Sequence, residues 1–573
     1  MNDNLSFNET ALAVLKERYL HIDPKTGVQE TPRQMLERVA RVVSQGDKKK
    51  YREYYDIMAA LDFLPNSPTL MNAGREGVHG QLSACFVLDV PDSMAGIFDA
   101  LKYQALIHKS GGGTGFNFSK LRAKGALVNS TNGRASGPVS FMELFDMSTE
   151  KVMQGGMRRG ANMGILNVDH PDIMEFIHCK SGNEHSLKNF NISVGVTDSF
   201  MHKLIAMRQG GKPSSSTEEV QELVRVNDIW SAICHCAWRS GDPGVVFLDT
   251  IERDNPTPEY GKLDATNPCG EQPLLPFEAC NLGSLNLSNF IMQGLDNDPY
   301  AYFAGRRIDF ARLGNSVHTA VEFLNDVIDV NHYPLPEIEA AVKRTRKIGL
   351  GIMGWADMLF KLGIRYGSKE STTLASVVMS FISNVAKEAS EGRNASVLCI
   401  APTGTISLLA GCSSGIEPVF ALQHKRVAFA NDVDEHGNSK RQVFEVFNPE
   451  YEKALKSNDS RLASGVFVTA QQIAPIDHVR MQAAFQKFVD AAISKTVNLP
   501  HDAIVEDISD IYIEAWEQGC KGVTVYRDGC KQSQVLYAEP EEKEKCPVCG
   551  STDIVHESGC KRCDACGWSP CSV

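Results

Sequence analysis

The sequence predicts an α/β protein organised around a parallel-type sheet or barrel. Stretches with apolar residues at three- and four-residue spacing alternate with short β-rich runs. Strands separated by helices favour parallel pairing, with ligands at strand ends. A chain of 573 residues, 43% hydrophobic and 22% charged, has the composition of a globular protein that can bury a large core.

In chain order, β-rich runs lie at 85–90, 164–168, 192–196, 245–248, 348–353 and 523–526. Helical periodicity covers 95–109, 141–153, 315–330, 374–391, 478–495 and 504–518. The polar tract GGKPSSSTEE at 210–219 reads as a loop. AEPEEKEK at 538–545, charged, with Pro540 and no large apolar residue, reads as a linker to a separate tail.

The net charge of −12, from 58 basic and 70 acidic residues, argues against a surface made to bind a phosphate backbone. A nucleotide-sized ligand needs only a local pocket. No apolar run approaches the roughly eighteen residues of a membrane span, and MNDNLSFNET lacks the basic and apolar regions of a signal peptide. The expectation is a cytoplasmic protein with neither nucleic-acid nor membrane partners. In a reducing compartment its 16 cysteines are expected to be ligands, catalysts or buried apolar residues rather than disulfides.

Six of those cysteines crowd the last 28 residues. Cys546-Pro-Val-Cys549 and Cys560-Lys-Arg-Cys563 have the paired Cys-x-x-Cys spacing of a zinc ribbon, in which four thiolates complete a tetrahedral Zn²⁺ site and hold a segment too short for its own core. Cys566 and Cys571, next to the terminus, suit a redox dithiol on an arm. Cys563 and Cys566 also form a Cys-x-x-Cys, so spacing leaves the division between ligand and redox roles open.

Glycine-rich segments punctuate the main body. Lys109-Ser-Gly-Gly-Gly-Thr-Gly-Phe116 lies between a helical pattern and a strand-like run, the reverse of P-loop order, and reads as an anion-binding or plain tight turn. Gly349-Leu-Gly-Ile-Met-Gly354 matches the dinucleotide fingerprint literally. Its charged lead-in AVKRTRK favours a packed barrel strand instead. Gly155-Gly-Met-Arg-Arg-Gly-Ala-Asn-Met163 offers Arg158 and Arg159 to a base edge or phosphate, or presents a solvated face. Ala401-Pro-Thr-Gly-Thr-Ile-Ser407 suits phosphate if a helix starts there, and a bare cap equally well.

The most specific segment is NPCGEQPLLPFEACNLGSLNL at 267–287. Asn267, Cys269 and Glu271 alternate, so in an extended loop an amide, a thiol and a carboxylate face one pocket. That set supplies a hydrogen-bonding group, a sulfur reactant and a general base.

With LPNSPTLMNAG at 64–74, SACFVL at 83–88, SGGGTGFNFSKLR at 110–122, GGMRRGANM at 155–163, APTGTIS, GCSSGIEPVF and TVYRDG at 524–529, the chain closely resembles ribonucleotide reductase large subunits, in particular the adenosylcobalamin-dependent class. The match runs from about residue 10 to the C-terminus. The resemblance implies a ten-stranded α/β barrel over 64–537 with a central finger loop, a helical N-terminal region over 1–63, and a zinc-ribbon-like redox tail over 546–573. It implies that Cys269 forms the thiyl radical, Glu271 accepts the 3′-hydroxyl proton, Asn267 bonds the substrate hydroxyls, and Cys85 with Cys280 supplies two electrons.

Ser67, Ala84, Gly283 and the turn Thr403, Gly404, Thr405, Ile406 and Ser407 are implied to bind substrate. Asp92, Lys109, Arg122, Arg158 and Arg159 are implied to bind an ATP or deoxynucleotide effector at a homodimer contact. Cys566 and Cys571 would re-reduce the barrel pair and be recharged by a thioredoxin- or glutaredoxin-type protein. Iron-dependent relatives, which need a partner subunit, have adjacent tyrosines where this chain has Tyr526-Arg527. That departure favours adenosylcobalamin over the partner-dependent alternative. The remaining Cys179, Cys234, Cys236, Cys399, Cys412, Cys520 and Cys530 read as buried or incidental thiols.

Overall fold

A computed structural model describes residues 5, 7–23, 25–75, 80–128, 132–152, 160–181, 186–210, 217–294, 302–433, 439–530, 549, 554–557 and 560–563. The chain begins with helices Glu9–Arg18, Pro32–Val43 and Lys48–Ala59. The second starts at a capping box between Thr31 and Gln34 and buries Met35, Leu36, Val39, Ala40 and Val43, a stripe set by the helical period. On the third, Tyr54 donates to Asp326 at 2.6 Å and Lys50 pairs with the same carboxylate at 2.7 Å. These contacts tie the helical layer to the long helix Phe310–Val330 beside the barrel.

The central sheet has ten strands. We number them β1 (Phe63–Pro65), β2 (Cys85–Leu88), β3 (Gly113–Asn117), β4 (Asn162–Asn167), β5 (Phe190–Val196), β6 (Gly244–Phe247), β7 (Ala279–Asn286), β8 (Ile348–Met353), β9 (Thr496–Leu499) and β10 (Gly522–Arg527). Strands β2 to β6 run parallel. The other half contains two parallel pairs, β7 with β8 and β9 with β10. The halves meet antiparallel at two seams, β6 against β10 and β2 against β7, and β1 lies antiparallel on β7.

The ring closes through Leu398–Ile400, which bridges Leu350 of β8 on one side and Ile493, just before β9, on the other. All six expected strands are present, 348–353 with the expected ends and the other five with shifted ones. Of the fingerprint-like glycines, Gly349 and Gly351 belong to β8, which is buried throughout, and Gly354 is the N-cap of the next helix, Trp355–Leu362.

One helical expectation changes. The pattern over 478–495 ends at Gln486, where helix Pro475–Gln486 stops. Beyond it, Ala491 N–H donates to the Leu398 carbonyl at 3.0 Å and Ser494 N–H to the Ile400 carbonyl at 2.8 Å. Asp490 meanwhile accepts from the backbone of Val397 and Leu398. Barrel closure therefore recruits this apolar run as extended chain, overriding its local period.

Inside the barrel sits a short hairpin, Ala265–Thr266 against Pro273–Leu274. Strand β3 accommodates it by having glycine at 113 and 115. A Cβ on Gly115 would stand 1.7 Å from the Thr266 carbonyl oxygen, and one on Gly113 would stand 2.8 Å from the Pro268 ring. The next residue of the same parity, Asn117, donates to the Asp264 carbonyl at 2.8 Å. On β5, Asn191 donates to the Pro268 carbonyl at 2.8 Å. The glycines of SGGGTG thus serve close backbone approach.

Replacing Gly115 by Ala drives a methyl group into the hairpin backbone, and we expect a loss of about 1–3 kcal/mol, read as a lower urea midpoint. An unchanged midpoint would mean that the hairpin does not seat on β3.

Candidate active site

The hairpin tip carries the alternating triplet. Asn267 accepts from Gly270 N–H at 3.1 Å, closing a turn with Pro268 in the position that favours proline and Gly270 at a φ of +82°. The tip is therefore a β-turn rather than the extended loop anticipated. Asn267, Cys269 and Glu271 nonetheless line one cavity of about 290 Å³. Asn267 Oδ1 accepts from Gln272 N–H at 2.9 Å, which fixes the carboxamide so that Nδ2 donates to Cys85 Sγ at 3.0 Å. Cys85 Sγ in turn faces Glu271 Oε1 at 3.9 Å. The Glu271 backbone carbonyl is anchored by Ala492 N–H at 2.9 Å.

Cys85 and Cys280 are directly opposed across the β2–β7 seam. Opposed antiparallel residues have Cα atoms about 4.5–5.5 Å apart, within the roughly 4.4–6.8 Å that a disulfide spans. Cys85 lines the cavity and Cys280 lies behind it, fully buried, donating to the Lys347 carbonyl at 3.5 Å. Burial pushes the Cys85 thiol well above its ordinary range, and the Glu271 carboxylate adds to the shift. Burial raises Cys280 as well, with Glu278 raising it further and Lys347 opposing.

Sequence reasoning missed two features here. Cys399 shares the apolar cluster of Cys85 and Cys280, and Glu278 pairs with Lys347 at 2.7 Å with both side chains almost completely buried. Neither carries a local signal, because each depends on residues brought together from distant strands.

Ser67, Ala84, Gly283, Thr403, Gly404, Thr405 and Ile406 line the same cavity as the triplet. Thr403 holds a φ of +54°, rare for a β-branched residue, while its Oγ1 accepts from Gly415 N–H at 2.8 Å. Ser407 falls just outside, its hydroxyl 2.9 Å from that of Ser414. It lines a second, larger cavity of about 970 Å³, and Pro268 and Cys269 border both. Cys269 thus stands between two compartments.

The family model for the ribonucleotide reductase barrel domain matches residues 83–392 and 391–526, and that for the all-alpha domain matches residues 5–77. The chain belongs to the ribonucleotide reductase family. It is 48% identical over 536 residues to the vitamin B12-dependent ribonucleoside-diphosphate reductase of Thermoplasma acidophilum, covering 86% of this chain and 67% of the relative. The protein of that name from Mycobacterium tuberculosis strain H37Rv is 40% identical over 621 residues, covering 98% and 83%. A vitamin B12-dependent ribonucleotide reductase of Streptomyces avermitilis is 30% identical over 647 residues, covering 91% and 65%.

Other expected site residues of this reductase-family chain are more scattered. Asp92 and Arg122 form an ion pair at 2.9 Å. Lys109 lies at the far end of the sixteen-residue helix Met94–Lys109, about 24 Å away along the axis. Arg158, Arg159, Cys546, Cys566 and Cys571 lie outside the described residues. Cys549 is exposed, and the backbone Cys560–Cys563 pairs antiparallel with Ile554–Glu557. Among the described residues no cluster of His, Cys, Asp and Glu could hold a metal ion.

At about pH 8 a buried thiol with a raised pKa has almost no thiolate, so iodoacetamide should label the exposed Cys269 ahead of Cys85, Cys280 and Cys399. Peptide mass mapping provides the check, and equal labelling rates would place all four thiols in water.

Proposed function

We propose that this chain is an adenosylcobalamin-dependent reductase that converts ribonucleoside diphosphates to 2′-deoxyribonucleotides in the cytoplasm, supplying DNA precursors. The convergence of Asn267, Cys269, Glu271 and Cys85 on one cavity, with Cys280 opposite Cys85, carries this reading. The relatives named for B12 dependence and for ribonucleoside diphosphates support the cofactor and the substrate class. Among the described residues no helix is long and apolar enough to cross a membrane.

When bound, adenosylcobalamin supplies a carbon radical by homolysis of its cobalt–carbon bond. The larger cavity suits it. That cavity also borders Cys269, and Ser413, Asn448, Asn498 and Glu417 on its wall would hold a ligand fringed with carboxamides. No histidine appears among its described lining residues, and the sequence contains no Asp-x-His-x-x-Gly motif, so cobalt ligation by a protein imidazole is not part of the reading. Where iron-dependent relatives have a second tyrosine next in sequence, this chain has Arg527, which packs over the Trp238 ring at 4.2 Å. This supports a radical generated next to Cys269 rather than delivered through paired tyrosines.

Cys269, once a thiyl radical, takes the hydrogen atom from C3′ of the ribose. Glu271 accepts the 3′-hydroxyl proton, and the oriented Asn267 carboxamide binds the hydroxyls. The 2′-hydroxyl leaves as water with a proton from one thiol of the Cys85–Cys280 pair, the other thiol's hydrogen goes to C2′, and the pair, having given up two electrons, closes as a disulfide while Glu271 returns its proton to the 3′-oxygen. Cys269 then returns its hydrogen to C3′. Ser67 and the 403–407 turn bind the phosphates.

Cys566 and Cys571 reopen the disulfide by exchange and are recharged by a thioredoxin- or glutaredoxin-type protein, while Cys546, Cys549, Cys560 and Cys563 hold zinc. Asp92, Lys109, Arg122, Arg158 and Arg159 form the effector site. Met94, Phe98 and Leu106 on one helix and Leu144 and Met147 on its neighbour Pro138–Lys151 are exposed apolar residues suited to a homodimer contact. Antiparallel pairing of two copies of helix Met94–Lys109 would bring Lys109 of one copy toward Asp92 of the other.

Purified protein with adenosylcobalamin, a small dithiol and a ribonucleoside diphosphate should release the deoxynucleotide. Cys269→Ser should abolish turnover while nucleotide binding persists, and Glu271→Gln should lower kcat by about 10²–10⁴. Absence of product with any ribonucleoside di- or triphosphate would overturn the reading. Cys566→Ser or Cys571→Ser should permit one turnover with a protein reductant and block the next, with bound zinc unchanged. Loss of zinc would reassign those ligands.

A further inference from the structure

The amino-terminal helix Glu9–Arg18 borders the larger cavity and reaches a residue that lines the smaller one. Its N-cap residue Asn8 borders the larger one. Its body, buried at Ala11 and Leu15, packs on the short helix Ile406–Ala410, which continues directly from the 403–407 turn. At its C-terminal end Tyr19, 3% exposed, brings its phenolic oxygen within 2.7 Å of Ser67 Oγ. Ser67 lines the smaller cavity. One helix therefore frames both elements that face the phosphate end of that cavity.

We propose that Tyr19 is a positioning residue for the nucleotide's phosphate: it donates to Ser67 Oγ and leaves the Ser67 proton directed into the cavity. This rests on the reading that Ser67 meets the substrate phosphate. Either hydroxyl could be the donor in the unliganded pair. A phosphate oxygen only accepts, so Ser67 must spend its one proton on the ligand. Its own oxygen is then an acceptor, and Tyr19 must donate to it. The order Tyr19 to Ser67 to phosphate is thereby fixed by the ligand, and the two bonds polarise each other in a site screened from water. Because Tyr19 is held by the helix that also buttresses the 403–407 turn, the spacing between the two phosphate-facing elements is set before the nucleotide arrives.

The decisive experiment is a double-mutant cycle on the full-length enzyme with adenosylcobalamin and a ribonucleoside diphosphate. Tyr19→Phe keeps the ring and removes only the hydroxyl. With one relayed hydrogen bond lost it should raise KM about fivefold while kcat stays within about twofold. Ser67→Ala should raise KM at least as much, and the double variant should match Ser67→Ala alone, since the phenol acts through a hydroxyl that is gone. A KM change in Ser67→Ala but none in Tyr19→Phe would overturn the inference, as would strictly additive effects. An unchanged KM in Ser67→Ala would overturn the phosphate reading of Ser67 and the inference with it. A fall in kcat and melting temperature without a KM change would assign Tyr19 a purely structural role.

Discussion

The Thr266 carbonyl lies 1.7 Å from where a Cβ would stand on residue 115, so the hairpin enters the barrel only along a strip of backbone without side chains. Barrel interiors of this type are otherwise filled by side chains in close packing. Removing the Cβ atoms at 113 and 115 makes the volume that the hairpin then occupies, and Asn117 and Asn191 turn that volume into a fixed seat by donating to its carbonyls. Every distance within the site depends on this seat. The Asn267 carboxamide can orient Cys85, and Glu271 can face the same sulfur, because the turn bearing them cannot slide along β3.

The second organising feature is the seam between β2 and β7. Antiparallel pairing at that one place sets two cysteines opposite each other, where purely parallel neighbours would offer a slanted and less direct pairing. The buried Glu278–Lys347 pair behind them shows that the seam tolerates charge where both partners are satisfied. Glu278 also accepts from Thr345 and from the Leu275 backbone, so little of its hydrogen-bonding capacity is wasted. High thiol pKa values keep the cysteines protonated at neutral pH. In the proposed reaction this suits groups that deliver hydrogen as well as electrons, and it leaves exchange with another thiol dependent on an attacker that ionises more readily.

Much of the site was legible because short motifs carry it: the triplet Asn267, Cys269 and Glu271, the turn at 401–407, and the glycines before β3. The structural reason for the triplet's convergence differs from the one alternation suggests, since Pro268 and Gly270 fold the tip into a turn. The closure of the barrel was less legible. Residues 491–494 have an apolar pattern that a helix accepts, and only the waiting edge of Leu398–Ile400 makes them extended. Local periodicity also says nothing of which strands face each other, so Cys399 beside Cys85 and Cys280, and Tyr19 beside Ser67, became visible only in three dimensions.

The order of the strands also bears on how the protein is made. The parallel half is complete once β6 ends at Phe247, yet its far seam waits for β10, which begins at Gly522, some 275 residues later. At about 5–20 residues per second that interval is roughly 14–55 s of synthesis. During this time a nascent chain carries an open sheet edge and a cysteine-bearing hairpin with no enclosing wall. The enclosed chamber comes into being only near the end of translation, so a truncated chain released early would carry Cys269 on its hairpin without the compartment that confines it.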